Sequence, residues 1–199
     1  ALYAAAYERW GDGVDTKLIG KYSAIIFSRK DALVRAVRSP ILASPLHYFQ
    51  DGETLVISST PRAIFATDRV HPEVDDQKIA DALLLNYNEG RRSWYRGISR
   101  VETGTALRAR PDGHAVDKYY SLDDLQPVRF KRDSDYVDAA NALFETGVKA
   151  SLAGSRKPAI LLSGGYDSQG VAAHALRIDP DRRLTGLTSV PEAGWDGRI

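Results

Sequence analysis

The sequence predicts an α+β first part followed by the start of an α/β parallel sheet, and three observations carry that prediction. Four short β-rich runs fall between Tyr22 and Ser59, with turn residues between them. A further strand pair surrounds Pro111-Asp112-Gly113. Past Ser134 the apolar residues recur with the helical period, and two apolar runs, Ala159 to Leu162 and Leu184 to Val190, flank another helical segment. Helices that alternate with strands in this way belong to a parallel sheet.

Taken in order, Leu2, Tyr3, Ala6, Tyr7 and Trp10 line one long face of a helix over Ala1 to Trp10, and Gly11 and Gly13 end it. Tyr22 to Ser28, Ala32 to Arg38, Pro45 to Phe49 and Thr54 to Ser59 are rich in strand-forming residues. Turn signals at Arg29-Lys30-Asp31, Ser39-Pro40 and Gln50-Asp51-Gly52 separate them, so together they read as an antiparallel meander. Thr60 supplies a hydroxyl cap and Pro61 a preset first turn for a short helix whose apolar side is Ala63, Ile64 and Phe65. A second helix runs from about Asp76 to Leu85. Arg96 to Val101 is a connector into the strand pair Ala106 to Arg110 and Ala115 to Tyr120.

The polar segment Asp123 to Arg132, with Pro127 inside it, sets a domain boundary: a first domain over 1–122, a linker over 123–133 and a second domain over 134–199. Ser134 is the expected cap of a helix reaching about Leu152, with Tyr136, Val137, Ala140, Leu143, Phe144, Val148 and Leu152 on its apolar face. Ile178-Asp179-Pro180 ends the helix that follows the Ala159 strand.

Composition removes several function classes. Hydrophobic residues make up 43% of 199 residues, enough for a packed core. The net charge of +1 implies neither a nucleic-acid nor a membrane partner. No apolar run is long enough to span a bilayer, and the first residues lack signal-peptide grading, so a cytoplasmic setting is expected. The absence of cysteine excludes disulfides, thiolate metal sites and a cysteine nucleophile within these residues. A start at Ala1 in mid-helix, without an initiator, reads as a fragment.

The chemistry concentrates in Leu162-Ser163-Gly164-Gly165-Tyr166-Asp167-Ser168. Adjacent glycines free the backbone and expose peptide N–H groups. Followed by the positive end of a helix, those groups form an anion nest. Ser163 and Ser168 add hydroxyl donors. Asp167 repels a bare phosphate but suits one that arrives with magnesium, a hard cation that takes carboxylate oxygen. The expected ligand is a magnesium-bound polyphosphate. Neither G-x-x-x-x-G-K-[ST] nor G-x-G-x-x-G after a strand is present. A turn that serves only strand-to-helix packing is the plain alternative.

This string resembles the S-G-G-x-D-S pyrophosphate loop of the N-type ATP pyrophosphatases, and its flanks resemble the asparagine synthetase family. Tyr166 stands where that family usually has a small aliphatic residue, and Gln169 replaces a common serine. The first part is similar as well: Gly20-Lys21-Tyr22-Ser23-Ala24 fits a gly-aromatic strand, and Pro45-Leu46-His47-Tyr48 an aromatic strand. Ser59-Thr60-Pro61-Arg62-Ala63 fits a helix start, and Glu102-Thr103-Gly104-Thr105-Ala106 with Tyr119-Tyr120 a glycine turn and an aromatic strand end. Val37-Arg38-Ser39-Pro40 stands where an Arg-Asp element belongs, with serine in the aspartate's place.

The resemblance implies a partial Ntn-type amidotransferase-like β-sandwich and then the start of an α/β parallel-sheet ATP pyrophosphatase domain. It implies that Ser163, Gly164, Gly165, Asp167 and Ser168 hold the pyrophosphate portion of ATP, with Asp167 helping to ligate Mg2+. Leu162 and the backbone around Thr188, Ser189 and Val190 would lie by the adenosine, at the carboxyl ends of adjacent strands. Ordinary strand packing is the alternative for that second set. The family's amidotransferase nucleophile and glutamine-binding residues map ahead of Ala1, so none is carried onto this chain.

Three functions follow from the resemblance: an asparagine synthetase, an intramolecular amide-forming cyclase like the β-lactam synthetases and lasso peptide cyclases, or a non-catalytic binding homologue. Leu187 to Gly197 is similar to a strand and loop of the second group. Expected partners are ATP, a carboxylate substrate (aspartate or a peptide side chain), an amine or ammonia donor, and a homodimer mate or small peptide. Outside the loop, His47, His71, His114 and His174 lack ligand spacing and are assigned packing or surface roles. Arg91-Arg92 with Trp94 and Tyr95 reads as a solvated loop, and Asp75-Asp76 and Asp123-Asp124 as helix-capping pairs.

Overall fold

The computed structural model describes residues 2–41, 43–52, 54–86 and 90–190. The chain divides into one unit over Ala1–Gln126 and a second over Pro127–Ile199.

In the first unit, Leu2–Trp10 (α1) passes into a 3-10 helix over Gly11–Thr16. Three hairpins follow from local turns. Ser23–Ser28 (β1) pairs antiparallel with Leu33–Arg38 (β2), and Ser28 Oγ donates to the Asp31 carboxylate at 2.7 Å in the turn between them. His47–Asp51 (β3) pairs with Thr54–Ser58 (β4), and Thr105–Arg110 (β6) pairs with Gly113–Lys118 (β7) across Pro111-Asp112.

The hairpins do not line up as one meander, which corrects the reading of the first four strands. β2 pairs with β6, giving a sheet of order β1-β2-β6-β7, while β3 pairs with the two-residue strand Ser99–Arg100 (β5) in a second sheet, β4-β3-β5. The predicted connector before Val101 therefore holds a strand. The break after β2 has a physical cause: Pro40 lacks the N–H a ladder needs. The Arg38 guanidinium donates to the carbonyls of Val101 (2.8 Å) and Ala43 (3.0 Å), which holds the chain as it leaves one sheet for the other.

Alternation along the strands makes two cores. Ala36 and Leu107 from the first sheet meet Tyr48 from the second, with Leu46 and Val101. On the other side of the second sheet, Phe49 joins Ile98 and Ile64. Ile64 lies on Pro61–Phe65 (α2), which begins as expected: Thr60 Oγ1 accepts the Arg62 N–H and Pro61 occupies the first turn. Asp76–Leu83 (α3) starts with Asp75 accepting the Lys78 N–H at 3.0 Å. The 3-10 helix Leu122–Asp124 is capped by Ser121.

The face predicted to be apolar on α1 is not buried, and Leu2 is 90% exposed. Polar tips hold this helix instead. Arg35 and Asp15 form a buried ion pair, and Asp15 accepts the Tyr3 hydroxyl at 2.8 Å and the Tyr22 hydroxyl at 3.4 Å. Arg35 Nε donates to the Tyr3 oxygen at 3.2 Å. Burial, offset in part by Arg35, pushes the Tyr3 phenol far above its ordinary range, so it stays a neutral donor.

The second unit starts with Asp133–Leu152 (α4). Ser134 is not its cap: Arg132 holds that position without a side-chain cap bond and pairs with Asp135 at 2.8 Å. Of the predicted α4 face, only Val148 and Leu152 are buried; they pack against Ala175, Val171, Ile178 and Leu184. Arg182 donates to the Leu152 and Ser155 carbonyls and so closes the end of α4. Ala159–Leu161 (β8) and Thr185–Leu187 (β9) pair in parallel, joined through the helix Tyr166–Ile178 (α5). The strand expected over Leu184 to Val190 is thus shorter, and the Pro191 to Gly197 part of the predicted loop lies outside the described residues. No described helix is long and apolar enough to cross a membrane.

Two outcomes follow for the first unit. Asp15→Ala leaves the buried Arg35 guanidinium with only the exposed Asp12 carboxylate, 3.5 Å away, as counter-charge, and is expected to lower unfolding stability by about 3 kcal/mol in urea titrations. Burial, joined by the nearby Arg100 and Arg38 charges, holds the His47 imidazole below its ordinary value of 6.5 against the pull of the Ser59 carbonyl. The unfolded chain therefore takes up more protons than the folded one as pH drops through that value, and stability falls. His47→Gln is expected to flatten the decline in melting temperature between about pH 7 and pH 5.

Candidate functional site

β8 delivers the chain to the loop in a fixed position. The Leu162 N–H donates to the Leu187 carbonyl at 2.7 Å, and the Leu162 carbonyl accepts the Thr188 hydroxyl at 2.6 Å. Both backbone groups of Leu162 are thereby tied to the neighbouring strand end. The Leu162 side chain lies over Gly186, where an added Cβ would come within 2.8 Å of Cδ1.

The turn itself is made by Gly164 at φ +79, a left-handed conformation that side chains with a Cβ adopt at a cost. Gly165 then caps α5 without a side-chain bond. The helix begins at Tyr166, which places Asp167 inside its first turn. Gln169 is the first residue of that turn whose N–H finds a carbonyl, that of Gly165 at 3.3 Å. The amides ahead of it belong to the set that no helix satisfies internally.

The hydroxyls fold back on the loop. Ser163 Oγ and Ser168 Oγ lie 3.2 Å apart; Ser168 Oγ accepts the Ser163 N–H at 3.3 Å, and Ser163 Oγ accepts the Gly165 N–H at 3.4 Å. Ser168 also donates to the Gly165 carbonyl at 3.3 Å, and Gln169 Nε2 donates to the Gly164 carbonyl at 3.1 Å. Asp167 is exposed and has no hydrogen-bond or ion-pair partner among the described residues. Tyr166 is 95% exposed.

The structure thus brings Leu162, Ser163, Gly164, Gly165, Ser168 and Thr188 together and sets Asp167 on the adjoining helix turn. No contact among the described residues ties Ser189 or Val190 to the loop, and Val190 is exposed. Thr188 enters through its hydroxyl rather than its backbone. Gln169 was visible in the sequence only as a departure from a pattern; its contact depends on where α5 starts. Chemically, the arrangement offers free helix-terminal N–H groups, two rotatable hydroxyls and an unpaired carboxylate within one short stretch, a set suited to a phosphate with a hard cation.

Other sequence candidates take structural places. His174 Nδ1 lies 2.9 Å from the Gly170 carbonyl with its ring edge-on to Phe144, and His114 packs edge-on to Tyr48. The described residues hold no cluster of three or more metal-ligating side chains. Arg91 and Arg92 are not merely solvated: Arg91 donates to the Tyr48 hydroxyl at 2.7 Å, and Arg92 pairs with Asp75 at 2.8 Å. Ser39, in the place of the resembled aspartate, is fully buried and accepts the Tyr22 N–H at 3.1 Å. A cavity of about 510 Å³ lies between Asp15, Ile19, Ile41 and Tyr119 in the first unit. The Asp15 carboxylate on its wall is already engaged by Arg35, Tyr3 and Tyr22.

The glutamine amidotransferase domain family matches residues 2–120. The glutamine-hydrolyzing asparagine synthetase 1 of Bacillus subtilis is 21% identical over 176 residues, covering 88% of this chain and 28% of that protein. A putative glutamine-hydrolyzing asparagine synthetase of Mycobacterium tuberculosis is 26% identical over 197 residues, covering 96% of this chain and 30% of its own length. The glutamine-hydrolyzing asparagine synthetase 3 of Bacillus subtilis is 24% identical over 173 residues. The chain spans less than a third of the length of these relatives.

Gly164→Ala forces a Cβ into the left-handed region and is expected to destabilise the second unit by about 1–2 kcal/mol. Urea unfolding followed by amide exchange in α5 and β8 measures it.

Proposed function

The chain belongs to the asparagine synthetase family, with a glutamine amidotransferase domain over residues 2–120, and from that premise we propose that it is part of an ATP-dependent amide-forming ligase. The observation that carries this reading is the Ser163–Ser168 loop, set between a parallel strand and the N-terminus of α5. In this reading residues 134–190 open an ATP pyrophosphatase-type α/β domain. The similarity to the Mycobacterium tuberculosis relative, which runs over 96% of the chain, supports it.

The loop residues have distinct tasks. First-turn N–H groups of α5 take the oxygens of the departing diphosphate, and the Ser163 and Ser168 hydroxyls turn from each other to donate to it. Charge that builds on the leaving group is met by dipoles already in place, which lowers the barrier without reorganisation. Asp167 fits a magnesium ion: it is exposed, lacks a partner among the described residues and stands beside the nest. Magnesium is ordinarily held by one or two carboxylates together with substrate phosphates, so the lack of a carboxylate cage among the described residues suits it. When bound, the ion neutralises phosphate charge. Leu162 and Thr188, locked at the strand ends, form the floor on the adenosine side, with Ser189 and Val190 beyond them.

The reaction is attack of a substrate carboxylate oxygen on the α-phosphorus of ATP, with release of pyrophosphate and formation of an acyl-adenylate. An amine or ammonia then attacks the acyl carbon and expels AMP. The relatives are named as glutamine-hydrolyzing asparagine synthetases; in this reading glutamine is the amine source, and aspartate, which becomes asparagine by amide formation, is the carboxylate. Pyrophosphate release from magnesium-ATP, measured with aspartate and ammonia in the full protein, tests the assignment; no release with any carboxylate would favour a binding homologue. Asp167→Asn is expected to abolish magnesium-dependent turnover while circular dichroism and melting stay unchanged. Normal turnover in that variant would remove Asp167 from the mechanism.

A further inference from the structure

The geometry points to Gln169 as a positioning residue that clamps both glycine carbonyls of the loop and so fixes which way the Gly164–Gly165 peptide faces. This role rests on the nucleotide reading of the loop. Gln169 makes two bonds to successive residues: its backbone N–H donates to the Gly165 carbonyl at 3.3 Å, and its side-chain amide donates to the Gly164 carbonyl at 3.1 Å.

The second bond matters because a peptide between two glycines turns over with little steric resistance. A planar peptide carries its carbonyl and its N–H in opposite directions. With the Gly164 carbonyl held by Gln169, the Gly165 N–H faces the Ser163 and Ser168 hydroxyls, where it lies 3.4 Å from Ser163 Oγ. Reversal of that peptide would present a carbonyl oxygen to an incoming phosphate in place of a donor. Two negative partial charges would then meet at the nest.

Reach decides which side chains can do this. The bond spans five residues, from the fourth position of α5 back to the loop. A serine, the common residue in the resembled pattern, is two atoms shorter and cannot make it. Gln169 is itself exposed and contributes nothing to the Val148–Leu152–Ala175 core, so the clamp is separable from folding.

The test uses the full chain with Gln169→Met, which keeps the length of the side chain without its donor, and Gln169→Ala. Binding of magnesium pyrophosphate by calorimetry is expected to weaken about three- to tenfold in both, the range for loss of one hydrogen bond. The melting temperature is expected to stay put, and the Gly165 amide resonance is expected to shift and exchange faster with no ligand added. Equal binding by the unaltered chain and Gln169→Met would overturn the clamp and leave the loop assignment standing. Failure of the unaltered chain to bind magnesium pyrophosphate would overturn the loop assignment and the clamp with it.

Discussion

Removing a guanidinium from water is costly unless its hydrogen bonds and charge are replaced, and Arg35 places that demand at the centre of the first unit. Asp15 answers it with a buried carboxylate, and Tyr3 and Tyr22 answer Asp15. The consequence is architectural. Tyr3 is on α1, Asp15 on the 3-10 helix, Tyr22 at the mouth of β1 and Arg35 on β2, so one polar knot, with the Tyr3 and Tyr22 rings 5.6 Å apart beside it, ties α1 and the 3-10 helix to the β1–β2 hairpin. That explains how α1 is held although none of its residues is buried.

The second unit solves a different accounting problem. A chain that leaves a strand and enters a helix sheds its ladder partners before it gains new ones, and the residues between must satisfy each backbone group or present it to solvent or ligand. Leu162 is satisfied from β9 and the following turn. The glycine carbonyls are satisfied by Ser168 and Gln169, and the first amides of α5 are left over. Side chains from one helix turn have thus taken up the glycine carbonyls, the Ser163 and Gly165 N–H groups rest on hydroxyls that can rotate away, and the α5 amides left over give the polarity an anion requires.

Much of this was legible in the sequence where the cause is local. Hairpins were readable because Arg29-Lys30-Asp31, Gln50-Asp51-Gly52 and Pro111-Asp112-Gly113 dictate their own turns, and Thr60-Pro61 announced α2. Sheet membership was not, because β2–β6 and β3–β5 pairings join residues far apart in the chain and leave no mark in local periodicity. Arg38 shows why: its binding of the Val101 and Ala43 carbonyls is an event of the folded state. In the candidate site the motif was plain, whereas the Gln169 and Thr188 contacts depend on helix start and strand register. Ser134 misled as a cap because an adjacent Arg132–Asp135 pair takes over the helix entrance.

The parallel pairing of β8 with β9 also orders events in time. Their ends meet across 26 residues with a whole helix between them, whereas each hairpin of the first unit closes over a few. Loop-closure entropy must be met before the distant pair returns any contact energy, so the latter assembles behind the hairpins. Closure of this pair hides neither Leu161 nor Leu187, which stay exposed at the paired ends, so what its late arrival completes is the backbone bonding that seats Leu162 rather than an apolar core.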